Sequence, residues 1–242
     1  NSRKTKFHFE LAGSLIDDKA IEILKNAPEG IIQFEIGVQS TNENTISAIG
    51  RSIEFEDVKE NVEKILALGN IHIHLDLIAG LPYENYESFG KSFDDVVSIR
   101  PHVLQLGFLK LLKGSRIREQ ENIFGYRYKE KAPYEIMENN YISFDEIIRL
   151  KYIEEVFERY YNSGDFGRSM DYLFSHNESP FRVFEFIADY FVKNNLFEIP
   201  VSLEKHYVIL EKLFPDKEFS DCVRTDRLTN RKAKLSYENE PE

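Results

Sequence analysis

Four short segments in the first half of the chain alternate apolar and polar residues, and segments of helical periodicity separate them. The four are Phe7 to Leu11, Ile31 to Gln39, Ile71 to Ile78 and His102 to Leu109. Strands recurring between helices predict a parallel sheet with right-handed crossovers. The intervening helices carry their own signals. Asp17 can cap a helix over residues 18–26, with Ala20, Ile21 and Leu24 on one face. Thr41 opens a short helix that ends near Gly50. A longer one runs from Glu56 to Leu68, with Val58, Val62, Ile65 and Leu66 inward and Gly69 as its stop. A further helix is predicted over 85–99.

The phase of the alternation narrows the fold further. Strands of a doubly wound parallel sheet are usually apolar on both faces. Here Phe7, Phe9 and Leu11, then Ile32, Phe34, Ile36 and Val38, then Ile71, Ile73, Leu75 and Leu77, then Leu104, Leu106 and Phe108 fall on one face. The other face carries His8 and Glu10, then Gln33, Glu35, Gly37 and Gln39, then His72, His74 and Asp76, then Gln105 and Gly107. A shared polar face fits a barrel wall lining a wet cavity. An ordinary sheet with one solvated face is the alternative. Four strands close neither a barrel of eight nor one of six. The chain is therefore expected to begin within the fold, with its polar face open.

Bulk properties exclude several classes of function. The formal net charge of -11 argues against a nucleic-acid partner, because neutralising phosphates needs a basic surface. No apolar run approaches the roughly 18 residues of a membrane span, so no membrane partner is expected. The start, Asn1-Ser-Arg-Lys-Thr-Lys6, carries no signal peptide pattern. The single cysteine, Cys222, excludes an internal disulfide and points to a reducing, cytoplasmic compartment. A first residue other than Met fits a processed or an excised chain.

Ligands of parallel α/β folds sit at the carboxyl ends of the strands. Glu10, Gly37-Val-Gln-Ser40, Asp76-Leu-Ile-Ala-Gly-Leu-Pro82 and Leu109-Lys-Leu-Leu-Lys-Gly114 fall there. A carboxylate can accept from ribose hydroxyls or an ammonium group, and Gln39 can donate and accept. Gly80 permits close backbone approach. His72, His74 and Asp76 also form a His-x-His-x-Asp line on one strand face, which is a candidate zinc site. The alternative is a barrel interior whose polar residues bond one another and water.

The strings Glu35-Ile-Gly-Val-Gln-Ser40, Thr45, Arg51 and Asp76-Leu-Ile-Ala-Gly-Leu-Pro82, in this order, resemble the radical S-adenosylmethionine (SAM) enzymes. They look most like the branch related to oxygen-independent coproporphyrinogen oxidase, over about Phe7 to Gly114. The resemblance implies a partial (β/α) barrel that binds SAM beside a four-iron cluster. It implies that Glu10 contacts the methionine or ribose part of SAM. Gln39, Arg51 and Asp76 would contact its ribose and carboxylate region, and Ile78 would pack near the adenine. No catalytic residue follows from it. The family holds its cluster on a C-x-x-x-C-x-x-C loop that this sequence lacks, and clusters need thiolates. The resemblance thus implies either a fragment of an enzyme whose cluster sits on a missing amino-terminal part of the same polypeptide, or a non-catalytic module that lost it. In the first case the complete enzyme would generate a 5'-deoxyadenosyl radical for hydrogen abstraction from a small molecule. A zinc-dependent hydrolase built on His72 and His74 is the third reading.

Helical signals and aromatics dominate the second half. The expected division places the barrel portion at residues 1–128 and an α-helical carboxyl-terminal domain at 129–242. Lys131-Ala-Pro-Tyr-Glu135 is expected to dock against the barrel. Ser143-Phe-Asp-Glu146 is a capping box that opens a helix to about Tyr161. Further helices are predicted over 167–175, 180–194 and 203–214. The stripe Phe181, Phe184, Phe186, Tyr190 and Phe191 is a core face or a groove for a substrate or partner. The tail from Thr225 to Glu242 is expected to be loosely held. The strings Gly107 to Gly114, Ala132-Pro-Tyr-Glu135 and Tyr160-Tyr-Asn-Ser-Gly164 resemble the carboxyl-terminal region of radical SAM proteins that carry a cobalamin-binding domain before the barrel. That resemblance adds cobalamin, on an upstream domain, as a candidate cofactor.

Overall fold

The computed structural model describes residues 5–51 and 54–238. The chain divides into two compact units, residues 1–150 and 151–242. The first holds β1 (Phe7–Leu11), α1 (Asp18–Leu24), β2 (Ile32–Gln39), α2 (Glu43–Ala48), α3 (Phe55–Leu66), β3 (Ile71–Ala79), α4 (Tyr86–Ser98) and β4 (Val103–Phe108). Two short helices follow, α5 (Arg116–Glu119) and α6 (Glu121–Phe124), then β5 (Arg127–Tyr128) and β6 (Ile136–Glu138).

The main sheet is parallel, in the order β1-β2-β3-β4. This is the α/β strand–helix order expected of a partial barrel. The apolar face is the buried one. Ile36, Ile73, Leu75, Leu77 and Leu104 are fully covered, and Val62 and Ile65 of α3 and Phe93 and Val96 of α4 are equally buried. At β1 the same alternation continues, yet Phe7 and Phe9 remain 51% and 47% exposed. β1 is the sheet's edge, hydrogen-bonded to β2 alone among the described strands. The opposite face of the sheet, from Gln33 through His74 and Asp76 to Gln105, stays half-buried or exposed.

The capping residues act as their sequence suggests. Asp17 accepts from Ala20 N, Asn85 accepts from Ser88 N, and Ser143 and Glu146 form the capping box. α2 is capped by Asn42 rather than started by Thr41, because the Asn42 side chain accepts from the amides of Asn44 and Thr45.

The division between units falls later than position 128. The segment just after β4 is bonded to residues 134–136: Leu111 N donates to Tyr134 O, and Ile136 N donates to Leu109 O. Lys131 to Glu135 thus docks on the strand end within the first unit.

α7 (Phe144–Phe157) crosses the division between the units and ends in a wider π-helical turn, Glu158–Asn162. The second unit continues with α8 (Gly167–His176), α9 (Pro180–Lys193), α10 (Leu203–Leu213) and α11 (Lys217–Glu238). Its core is aromatic: Phe157, Tyr160, Phe166, Phe181, Phe184, Phe191 and Phe219 are buried. Phe186 is 50% exposed, since it lies off the face that Phe184 and Phe191 share. The tail expectation is corrected. Thr225 to Glu238 continues α11, and residues 239–242 lie outside the described ones. The reason is polar anchoring. Buried Asp226 accepts from the amides of Arg168 and Ser169 and from the Ser169 hydroxyl, so it caps α8 from a distant helix. Asn230 donates to Asp165 O and to Tyr207 Oη, and Arg231 pairs with Glu204.

Candidate functional site

The carboxyl end of β2 departs from regular strand geometry. Its register against β3 shifts between Gly37 and Gln39, and Gln39 takes a φ of 72°, in the left-handed region. That conformation is costly for a residue with a Cβ and is held here by its surroundings. Arg51 Nη1 donates to Gly37 O at 2.7 Å. A Cβ on Gly37 would collide with the Gln39 amide, so the glycine lets Gln39 fold back over its own strand.

The bulge gathers polar side chains. A cleft of about 370 Å³ is lined by Glu10 at the end of β1, Glu35, Gly37 and Gln39 on β2, Arg51 after α2, and Asp76 on β3. A second cleft of about 320 Å³ shares Gln39 and Asp76 and adds Ile78, Gln105, Gly107, Leu109 and Lys110. All five residues singled out in the sequence therefore lie on two clefts that share walls at the carboxyl end of the sheet. Glu35 joins them. Strand alternation placed it on this face, but its closeness to Asp76 depends on register across strands.

Carboxylates dominate one end of the cleft. Burial is the main cause that raises Asp76 to about 7, helped by the charge of Glu35, a hydrogen bond shared with Glu35, and the charge of Glu10. Among the described residues Asp76 Oδ1 has no hydrogen-bond partner. His8 Nε2 lies 2.8 Å from Glu35 Oε2. The orphaned oxygen and the crowded carboxylates suit a cationic or hydroxyl-bearing ligand, while Arg51 suits an anionic group on the same ligand.

Behind the clefts lies a buried network with no clear sequence signature. Glu84 is 1% exposed and accepts from Ser40 Oγ at 2.5 Å and from Ser92 Oγ at 2.9 Å. Burial raises its carboxyl to about 7. Thr41 donates to Asp95, and Thr45 donates to Pro82 O. These bonds tie the turn after β2 to the turn after β3. The Gly80 carbonyl is held from the other side, by Tyr126 Oη at 3.1 Å and Asn139 Nδ2 at 2.9 Å. Gly80 has a φ of 90°, and the space a Cβ would take is filled by Ile136.

His72 and His74 lie deeper on the polar face. The ring of His72 sits 4.8 Å from that of His74 and 4.6 Å from that of His102, centroid to centroid. Burial, then the neighbouring histidines, lowers His72 to about 4, and burial lowers His74 and His102 as well. Among the described residues no three His, Cys, Asp or Glu side chains are placed to hold a metal ion. The geometry therefore gives the zinc reading no third ligand.

Comparison with known proteins gives a separate family match for each end of the chain. Residues 1–96 match the radical SAM superfamily, and residues 122–238 match a family described as "Protein of unknown function (DUF4080)". The anaerobic coproporphyrinogen III oxidase 1 of Cereibacter sphaeroides is 34% identical over 96 residues, 40% of this chain and 21% of that protein. An oxygen-independent coproporphyrinogen III oxidase from another strain of that species is 32% identical over the same shares. The ribosomal protein uS12 methylthiotransferase of Caldicellulosiruptor saccharolyticus is 27% identical over 82 residues, 34% of this chain and 19% of that protein. The chain thus spans about a fifth of the length of the curated relatives it matches. Solved structures include the Escherichia coli coproporphyrinogen III oxidase, at 23% identity over 43% of this chain and 24% of that one, with a TM-score of 0.37. The radical S-adenosylmethionine methyltransferase TsrM from Kitasatospora setae, with cobalamin and an iron–sulfur cluster bound, is 15% identical over 53% of this chain and 27% of that one, with a TM-score of 0.44. The amino-terminal part of the chain, residues 1–96, is thus similar to the radical SAM superfamily.

Proposed function

We propose that this chain carries the SAM-binding part of a radical SAM iron–sulfur enzyme, and that residues of the same polypeptide outside the chain hold the cluster. The observation that carries the reading is the convergence of Glu10, Gln39, Arg51 and Asp76 on one cleft at the strand ends. The donor set fits SAM. Asp76, with its unpartnered Oδ1, and Glu10 are suited to the ammonium group or the ribose hydroxyls. Arg51 is suited to the carboxylate and Gln39 to the ribose, with Ile78 against the adenine. The cluster does not fit these 242 residues: Cys222 is the single cysteine, and a cluster of this type takes several thiolates. When bound and reduced beside a cluster, SAM supplies a 5'-deoxyadenosyl radical for hydrogen abstraction. Two finer chemistries belong to the proposal. One is a coproporphyrinogen oxidase-like reaction, which the curated relatives favour; the other is a cobalamin-dependent reaction served by an upstream domain.

The test separates the two halves of the reading. Calorimetry on this chain should show S-adenosylhomocysteine binding that weakens at least about tenfold in Asp76→Asn. Anaerobic reconstitution should give no stoichiometric iron on the chain, but a full cluster on the polypeptide extended upstream. Iron bound stoichiometrically by the chain alone would sink the proposal, as would undiminished nucleoside binding in the variant.

A further inference from the structure

A third cleft borders the proposed SAM site. It has a volume of about 270 Å³ and adjoins the others across Gln39, Arg51 and Ile78. Its walls include Leu81, Leu109 and Ile117, and its polar groups are two amides, Gln39 and Gln120, and two guanidiniums, Arg51 and Arg116. Among the described residues no acidic one lines it. That composition is unusual in a chain with 42 acidic and 31 basic residues. Arg51 is already engaged by Gly37 O. The Arg116 guanidinium has no hydrogen bond or ion pair among the described residues, although two other cations of the same stretch are paired: Arg127 with Glu138, and Lys129 with Glu135. Lys110, exposed and also without an ion pair among the described residues, stands on the neighbouring cleft.

We infer that this cleft binds an organic anion with an apolar body, its oxyanion held by Arg116 and its body against Leu81, Leu109 and Ile117. A guanidinium presents two parallel donors to a carboxylate, sulfonate or phosphate, and a nearby apolar wall lowers the dielectric and strengthens that contact. The amides of Gln39 and Gln120 add donors without adding charge. The anion would lie beside SAM, on the far side of Gln39 and Arg51. Its role as the substrate rests on the cofactor reading; the anion preference does not.

The probe is 8-anilinonaphthalene-1-sulfonate, whose fluorescence rises in apolar sites, compared with the uncharged N-phenyl-1-naphthylamine. S-adenosylhomocysteine binding is measured in parallel on the same preparations. Arg116→Gln should weaken the sulfonate about tenfold while leaving the uncharged dye and S-adenosylhomocysteine within about twofold, as expected for loss of one charge-assisted contact. Arg116→Lys should recover part of the loss. A sulfonate affinity in Arg116→Gln within about twofold of the parent chain would overturn the inference, as would equal losses for both dyes. If the parent chain fails to bind S-adenosylhomocysteine but keeps the Arg116-dependent preference for the sulfonate, the cofactor reading fails and the anion cleft stands.

Discussion

Asp76 is drawn partly out of water among other carboxylates. Burial and two neighbouring carboxylates hold it near 7, against 3.8 for an unperturbed aspartate. The raised value fixes the sign of its effect on stability. The folded chain binds the proton more tightly than the unfolded chain, so this contribution is complete below about pH 4 and is lost as pH rises through 7. Glu84, also raised to about 7, acts in the same direction. Unfolding measured by denaturant from pH 5 to 8 should show stability falling, and Asp76→Asn should remove part of that fall. The part expected is about 1–3 kcal/mol after screening of a half-buried group. Binding of a cationic ligand should run the other way, strengthening as Asp76 ionises between pH 6 and 8. A pH-independent affinity would show that Asp76 does not face the ligand's positive charge.

At the scale of elements, the short β5–β6 pair does more than its length suggests. Tyr126, immediately before it, and Asn139, immediately after it, both donate to the Gly80 carbonyl, and Ile136 fills the space above Gly80. The turn that presents Ile78 is thereby fixed from one side by this pair and from the other by the Glu84 network. Tyr126→Phe should cost about 1–2 kcal/mol by removing one donor from a buried carbonyl. Gly80→Ala should cost more, because it combines a left-handed φ with a clash against Ile136. A Gly80→Ala variant as stable as the parent in chemical denaturation would refute this arrangement. Neither β5 nor β6 was legible in the sequence, since two and three residues are too few to show alternation. The long helices were legible because apolar spacing and capping residues agree, as at Asn85, Ser179 and Ser202. Helix α11 was missed because its buried positions are sparse and its anchors are polar. Asp226 and Asn230 find their partners about 60 residues away, which no local pattern records.

For the whole chain, the repeated alternation of the strands carried the fold class, and the location of the site followed from the direction of a parallel sheet. Gln39, Asp76 and Ile78 could be placed at strand ends from sequence alone. The crowding of Glu35 against Asp76, the fold-back of Gln39 over Gly37 and the lack of a partner for Arg116 among the described residues could not, because each depends on register between strands or on a loop path. The exposed flank of β1 has a consequence for handling this polypeptide. Phe7 and Phe9 lie on a strand whose outer amides and carbonyls face no described neighbour, the arrangement that invites another strand to add. Prepared alone, the 242-residue chain should self-associate with rising concentration, and static light scattering should record a growing mass. Phe7→Lys with Phe9→Lys should suppress that growth by setting like charges at the open border. What guards this border in a longer polypeptide would then be a matter of protection against polymerisation as much as of catalysis.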